Sequence, residues 1–252
     1  MTIKYMYVQT MYIKEVLEID QMVFKPQEEL KKAKYKKIKI FEDGWQSIRL
    51  DPYPKGNDVV KELKEIQEYV NNATPEQKQQ YLNCDEDSAY YIKKYMDKEG
   101  LDYDEDTINY IEAQSRHIIR HYKNHFNRPR PYQVAEKLGM EFNRYVTDTA
   151  KTPAYPSGHT VQPILTAEYY SKLYPQHRNG IMNGAKISGF GRVIAGLHYP
   201  SDYDAGVKLG KELIEFMDYG KLKEDAPVNS TGAGISMPPT MKKKKKKDIF
   251  TR

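Results

Sequence analysis

Between Asp58 and Asn72 the apolar residues Val59, Leu63, Ile66 and Val70 recur at helical spacing, with Lys and Glu between them. That pattern predicts an amphipathic helix with one apolar stripe facing a core. Thr74-Pro75-Glu76 then combines a cap residue with proline at the first helical position, which predicts a second helix. Helical patterns continue over Ser88 to Lys98, Asp106 to about Phe126, Thr160 to Leu173, Gly180 to Ala195 and Asp202 to Met217. Alternating patterns are scarce after residue 50, so the expected fold is all-α, a helical bundle. The turn-rich stretch Leu50-Asp51-Pro52-Tyr53-Pro54-Lys55-Gly56-Asn57 suits neither a helix interior nor a central strand. It divides a less regular N-terminal extension, 1–49, from a helical domain, 50–221. From 222 to 252 periodicity is lost and the lysine run Lys242 to Lys247 follows, so this tail is expected to be disordered.

Length and charge narrow the function. A chain of 252 residues can bury a sizeable core. No apolar run approaches the roughly 18–20 residues of a membrane-spanning helix. The N-terminus lacks the apolar stretch of a secretory signal. A lone cysteine, Cys84, forms no intramolecular disulfide, and the expectation is a cytoplasmic protein. The net charge of +5 includes the six tail lysines, so the body is close to neutral and has no basic face for nucleic acid. The tail itself could touch an anionic surface, nucleic acid or an acidic partner; a solvated tail is the simpler reading. Nothing fixes the oligomeric state, and a homo-oligomer is compatible.

Three short segments concentrate chemistry. Lys123-Asn124-His125-Phe126-Asn127-Arg128-Pro129-Arg130-Pro131 ends a long predicted helix and holds a lysine and an arginine near that end. Pro156-Ser157-Gly158-His159 opens the next long helix, whose unpaired N–H groups suit an anion. Gly191-Arg192-Val193-Ile194-Ala195-Gly196-Leu197-His198-Tyr199-Pro200-Ser201-Asp202 should end a helix at Gly196, leave His198 on a connection and begin another helix at Asp202. An aspartate accepting from Nδ1 would leave the Nε2 lone pair of His198 free to act as a nucleophile. Singly, each segment is an ordinary helix end or turn; their order makes them specific.

In that order the residues resemble the signature of the type 2 phosphatidic acid phosphatase and vanadium haloperoxidase superfamily, with the soluble class A non-specific acid phosphatases most similar. The resemblance rests on Lys123, Arg130 and Pro131, on residues 156–159, and on Arg192, His198 and Asp202, within roughly residues 50 to 220. It implies a metal-independent hydrolase of phosphate monoesters on small molecules. Lys123, Arg130, Arg192, Ser157 and the N–H of Gly158 would hold the phosphoryl oxygens. His198 would be the nucleophile, oriented by Asp202, and His159 the general acid and then base. With both histidines starting near a pKa of about 6.5, a bell-shaped, mildly acidic optimum is expected. Gly191 stands where the family usually has serine, which implies one missing hydroxyl donor to the phosphate.

Two other enzymatic or binding functions fit the same residues. A haloperoxidase would hold vanadate in the phosphate cradle, its only cofactor, and a non-catalytic protein would simply bind an anion there. Separately, His117, His121 and His125 share one helix face, a spacing that can hold zinc. No carboxylate or cysteine completes that set in the sequence, so partly buried or pocket-lining histidines are the simpler reading.

Overall fold

A computed structural model describes residues 17–26 and 38–225. The tail from 226 onward, with Lys242 to Lys247, lies outside the described residues, as do 1–16 and the lysine cluster from Lys31 to Lys37. After helical residues 17–20, the described residues form α1 (Asn57–Asn72), α2 (Pro75–Glu86), α3 (Tyr90–Glu99), α4 (Glu105–Phe126) and α5 (Pro131–Lys137). They are followed by α6 (Gly158–Leu173), α7 (Arg178–Ile194), α8 (Pro200–Leu213) and α9 (Tyr219–Asp225). The only sheet-like feature among the described residues is an isolated antiparallel bridge between Phe41 and Met217, so the architecture is all-α. No described helix is long and apolar enough to cross a membrane.

Local signals set the helix ends. At α2, Thr74 Oγ1 accepts from Gln77 N at 3.2 Å while Gln77 Oε1 accepts from Thr74 N at 2.9 Å, a reciprocal cap with Pro75 at the first position. Asp104 caps α4 by accepting from Thr107 N at 2.8 Å. That helix closes at Asn127, which has positive φ and donates its N–H to Lys123 O. Proline then starts α5, an element not foreseen from the sequence: Pro129 cannot extend α4, but Pro131 is preorganised for a first turn.

Helix α6 occupies the centre and packs against α4, α7 and α8, while α1, α2 and α3 lie along α7. Every residue from Thr160 to Ser171 is buried, and a helix buried on all sides needs no polar stripe. Close approach is possible because α8 offers glycines. A Cβ on Gly206 would stand 2.9 Å from Ser157 O, and one on Gly210 would stand 2.7 Å from Ile164 Cγ2. Arg178 at the start of α7 grips Glu168 of α6 through two 2.7 Å hydrogen bonds.

Among the described residues two large apolar clusters result, beside a small one of Tyr81, Ala195 and Leu197. The larger joins Ile92, Ile111, Ile118, Ile164, Leu165, Ile181 and Leu209, and it includes Ile40, Phe41, Trp45 and Ile48, so packing continues N-terminal to residue 50. The second unites Val59, Val60, Leu63 and Ile66 of α1 with Val134, Val193 and Tyr199. Leu63 and Ile66 are fully buried, each contributing about 1.5–3 kcal/mol. This cluster joins the C-terminal end of α7 to α5 and to the N-terminal end of α8, beside the place where the site forms.

Candidate active site

Helix polarity explains the placement of charge. Lys123 lies in the last turn of α4 and Arg192 in the last turn of α7, where the partial negative charge of the helix end suits a cation. Facing them is the first turn of α6, whose Gly158 and His159 N–H groups precede the first intrahelical bonds. A cavity of about 200 Å³ forms between these ends. Lys123, Arg130, Gly158, His159, Arg192 and His198 all line it.

Each cation is held by the protein. Lys123, 5% exposed, donates to the carbonyl oxygens of Pro153 and Ala154. Burial and the neighbouring Arg130 and Arg192 pull its pKa well below the usual lysine range, against the opposing effect of Asp202. Arg130 donates through Nε to Thr152 O at 2.8 Å and through Nη1 to Leu197 O at 2.9 Å. Burial, then Arg192, pushes its pKa down to about 10. Arg192 gives Nη1 to Asp85 and Nη2 to Thr149 Oγ1 at 2.8 Å. Its Nε is buried and has no partner among the described residues, although buried donors are nearly always satisfied.

Arg192 and His198 are positioned by one turn. Gly196, at φ 74°, donates to Val193 O, and Leu197 donates to Arg192 O, closing α7 with the six-to-one and five-to-two bonds of a Schellman turn. A side chain at Gly196 would also strike Asn143 O at 2.9 Å. Tyr199 then caps α8 and Asp202 sits in its first turn. Asp202 Oδ2 accepts from Tyr199 N at 3.0 Å and lies 3.1 Å from His198 Nδ1. The imidazole therefore presents Nε2 to the cavity, 2.8 Å from Arg130 Nη1. Burial, then Arg130, Lys123, Arg192 and Arg128, lowers the His198 pKa well below its ordinary value, so the neutral ring is favoured. Burial and Arg192 do the same to His159, with His198, Arg130 and Lys123 adding to the effect.

Ser157 is fully buried beneath the cavity and is absent from its lining: its N–H donates to Asp202 O, and its Oγ accepts from Thr160 Oγ1. Gly191 corrects the expectation of a missing phosphate donor. A Cβ there would face Tyr81 Cα at 3.7 Å, and the residue lines a different groove, with Tyr69, Phe190 and Tyr203. Neighbouring helical residues diverge by about 100°, so position 191 cannot share the direction of Arg192. His117, His121 and His125 are likewise not cavity-lining; His121 packs edge-on against Trp45, and His125 against Phe126. Tyr199, next to His198, is also absent from the lining and is buried under the Arg128 guanidinium, 3.6 Å from its ring centroid.

Several contributors escaped the motif reading. Arg128 donates to Asp202 Oδ1 at 2.6 Å, to Glu62 Oε2 at 2.7 Å and to Ser201 Oγ at 2.7 Å, tying α1 to the carboxylate behind His198. Burial alone would raise the Asp85 pKa, but Arg192, with hydrogen bonds from Thr147 and Thr149, holds it below the usual range. Thr149 and Thr152 bring the α5–α6 connection over the cavity, and Arg116, Ile119, Arg120 and Gln162 complete the wall. The spacing of 116, 120 and 123 on one helix face was the available signal for the two arginines; Glu62 and Asp85 had none.

Residues 111–214, which contain every motif residue above, match the family model described as the PAP2 superfamily. An acid phosphatase of Zymomonas mobilis subsp. mobilis is 28% identical over 126 residues, 47% of this chain and 47% of that protein. The crystal structure of a bacterial vanadium-dependent iodoperoxidase superposes with a TM-score of 0.51 at 17% identity, over 67% of this chain and 51% of the other. A transmembrane PAP2-type phosphatidylglycerolphosphate phosphatase from Bacillus subtilis gives 0.44 at 15%, over 75% and 93%. At such identities the iodoperoxidase likeness is one of fold. The chain spans about half the length of the acid phosphatase and of the iodoperoxidase.

Proposed function

With the PAP2 superfamily segment in residues 111–214 as premise, we propose that the chain hydrolyses phosphate monoesters through a phosphohistidine intermediate, using its own cations. The observation that carries this reading is the convergence of buried Lys123, Arg130 and Arg192 on the first turn of α6, with an Arg192 Nε that has no partner among the described residues and a His198 whose neutral form is favoured at the same cavity. Charge in phosphoryl transfer spreads over three non-bridging oxygens, which three fixed cations and the Gly158 and His159 N–H groups can stabilise. Ser157 Oγ could join them only by turning its proton toward the cavity.

A phosphoryl oxygen takes over the Arg130 Nη1 donor, freeing the His198 Nε2 lone pair. Nε2 attacks phosphorus as the bond to the ester oxygen breaks, and His159 gives its proton to the departing alcohol. Asp202 accepts from Nδ1–H throughout and stabilises the positive ring. His159, now neutral, takes a proton from water; the water oxygen attacks phosphorus, the N–P bond breaks, and phosphate leaves. The 28% identity to an acid phosphatase supports the same reaction class.

The fold likeness to an iodoperoxidase supports one other reading. Vanadate, an oxyanion of the same shape as phosphate, fits the donor set: Lys123, Arg130 and Arg192 would hold its oxygens and His198 Nε2 its metal, and when bound it would activate peroxide toward halide oxidation.

The test is hydrolysis of p-nitrophenyl phosphate across about pH 4 to 9, with EDTA present and with vanadate as a competitor. Activity that survives EDTA and is inhibited by vanadate is expected. No hydrolysis at any pH, with halide oxidation after vanadate loading, would overturn the phosphatase reading; neither activity would leave an anion-binding protein.

A further inference from the structure

The reaction proposed above uses the deep end of the cavity, and this inference rests on that reading. The same cavity continues outward along α4 with two further guanidinium groups. Arg116, Arg120 and Lys123 line it together with Ile119, and their spacing puts them on one helix face. At about 1.5 Å rise per residue, this stripe runs roughly 10 Å from Lys123 to Arg116. Exposure grades along it: Lys123 is buried, Arg120 half-buried and Arg116 exposed. Lys123 therefore marks the floor and Arg116 the mouth.

An arginine stripe on a solvated helix usually has acidic neighbours. Here neither Arg116 nor Arg120 forms an ion pair among the described residues, and no residue lining the cavity is acidic. Glu112, one turn before Arg116, accepts from the Ser88 hydroxyl and feels the Arg116 charge without pairing with it. Arg116 and Arg120 stand four apart, and like charges at that spacing repel. A single phosphoryl group is matched by the three deep cations, which leaves two more positive charges to be answered. Gln162, one turn beyond His159 on α6, lines the cavity beside this stripe and donates to Glu112 O of α4 at 3.1 Å, so the space next to His159 continues toward Arg116 and Arg120, over the apolar Ile119.

We infer that Arg116 and Arg120 form a second anion subsite, and that the preferred substrates are bisphosphates: phosphate esters whose alcohol portion carries another phosphate group. Two guanidinium groups match the charge of a phosphate dianion and offer it paired N–H donors.

The monophosphate and the bisphosphate of one short-chain diol test this, compared by kcat/KM in the unaltered protein and in the double variant Arg116→Gln, Arg120→Gln. A preference for the bisphosphate of about tenfold or more is expected, the factor that one charge-assisted contact supplies. It should fall to near equality in the double variant. Equal kcat/KM in the unaltered protein, or a preference that survives both substitutions, overturns the subsite. Turnover of neither compound refutes the phosphatase reading instead, and calorimetric binding of the two compounds then decides the subsite. Tighter binding of the bisphosphate that disappears in the double variant supports it, and equal binding rejects it.

Discussion

Replacing Asp202 with asparagine preserves size and shape but removes one of two acceptors. In the native protein Oδ1 accepts from Arg128 Nη1 at 2.6 Å, while Oδ2 faces His198 Nδ1 and the N–H of Tyr199. An amide can satisfy one side only; on the other its NH2 meets donors. If the Arg128 side is lost, a fully buried ion pair is broken, and such losses cost about 3–5 kcal/mol. Arg128 keeps Glu62 and Ser201, which puts the expectation near the lower bound, about 3 kcal/mol. In a chain of this size each kcal/mol moves Tm by about 2–4 °C, so a fall of roughly 6–12 °C should be seen by calorimetry. If the His198 side is lost, the ring must carry its proton on Nε2 and the nucleophilic lone pair disappears; a wrong tautomer behind a comparable histidine costs about ten-thousand-fold in turnover. Phosphate binding should persist in Asp202→Asn because Lys123, Arg130 and Arg192 are untouched. The assay is kcat on p-nitrophenyl phosphate, with phosphorus NMR of alkali-quenched protein for the phosphohistidine. Turnover within about tenfold of the unaltered protein would refute the assignment of Asp202 to His198.

Three other outcomes follow from the same geometry. Because His198 must be neutral and His159 protonated, and both pKa values are lowered, the basic limb of kcat/KM should lie below the ordinary histidine value of about 6.5. A bound phosphoryl group offsets the cations around His159, so the basic limb of kcat should lie higher; a kcat/KM that keeps rising to about pH 9 would contradict the roles. For stability the sign is fixed by the unfolded chain, which binds more protons than the native one below about pH 6.5. The contribution of the two neutral rings is whole above that value and declines as pH falls toward their native pKa values, so Tm should drop between about pH 7 and 5. Gly191→Ala should raise stability by about 1 kcal/mol through helix propensity and leave kcat unchanged, since its Cβ would meet Tyr81 at an ordinary distance; Gly191→Ser should bring no gain in rate.

The helices that read most clearly from the sequence are those with one dry face. Val59, Leu63 and Ile66 predict α1 because their stripe is buried while Lys61, Lys64, Glu65 and Glu68 stay wet and Glu62 turns in to Arg128. Helix α6 has no such contrast, being buried all round, and was marked instead by its Pro-Ser-Gly-His entry. Short α5 and α9 carry too few turns for a period to register. The core role of Ile40, Phe41 and Trp45 depends on contacts far along the chain. The site divides in the same way. Lys123, Arg130, His159, Arg192, His198 and Asp202 were legible because their positions near helix ends follow from local punctuation. Glu62 reaches Arg128 across 66 residues and Asp85 reaches Arg192 across 107, and separations of that kind leave no mark on periodicity. Gly191 is separated from Arg192 by helical phase: a step of about 100° turns it to a different groove.

The turn at Gly196 makes one stretch of this chain indivisible. Arg192 accepts the hydrogen bond that closes the turn, Leu197 both donates it and receives Arg130, and His198 follows at once. The interval between cation and imidazole is thus measured out by main-chain atoms. Adding a single residue between Gly196 and His198 would carry the ring out of register with Asp202, and repacking side chains could not bring it back. The α5–α6 connection has the opposite character at Val146 alone, which is 91% exposed, while its neighbours Tyr145 and Thr147 are pinned to Ala195 O and Asp85. Engineers wishing to alter what the protein accepts can lengthen the chain at Val146, and should leave the seven residues from Arg192 to His198 as a single cassette to be transplanted whole.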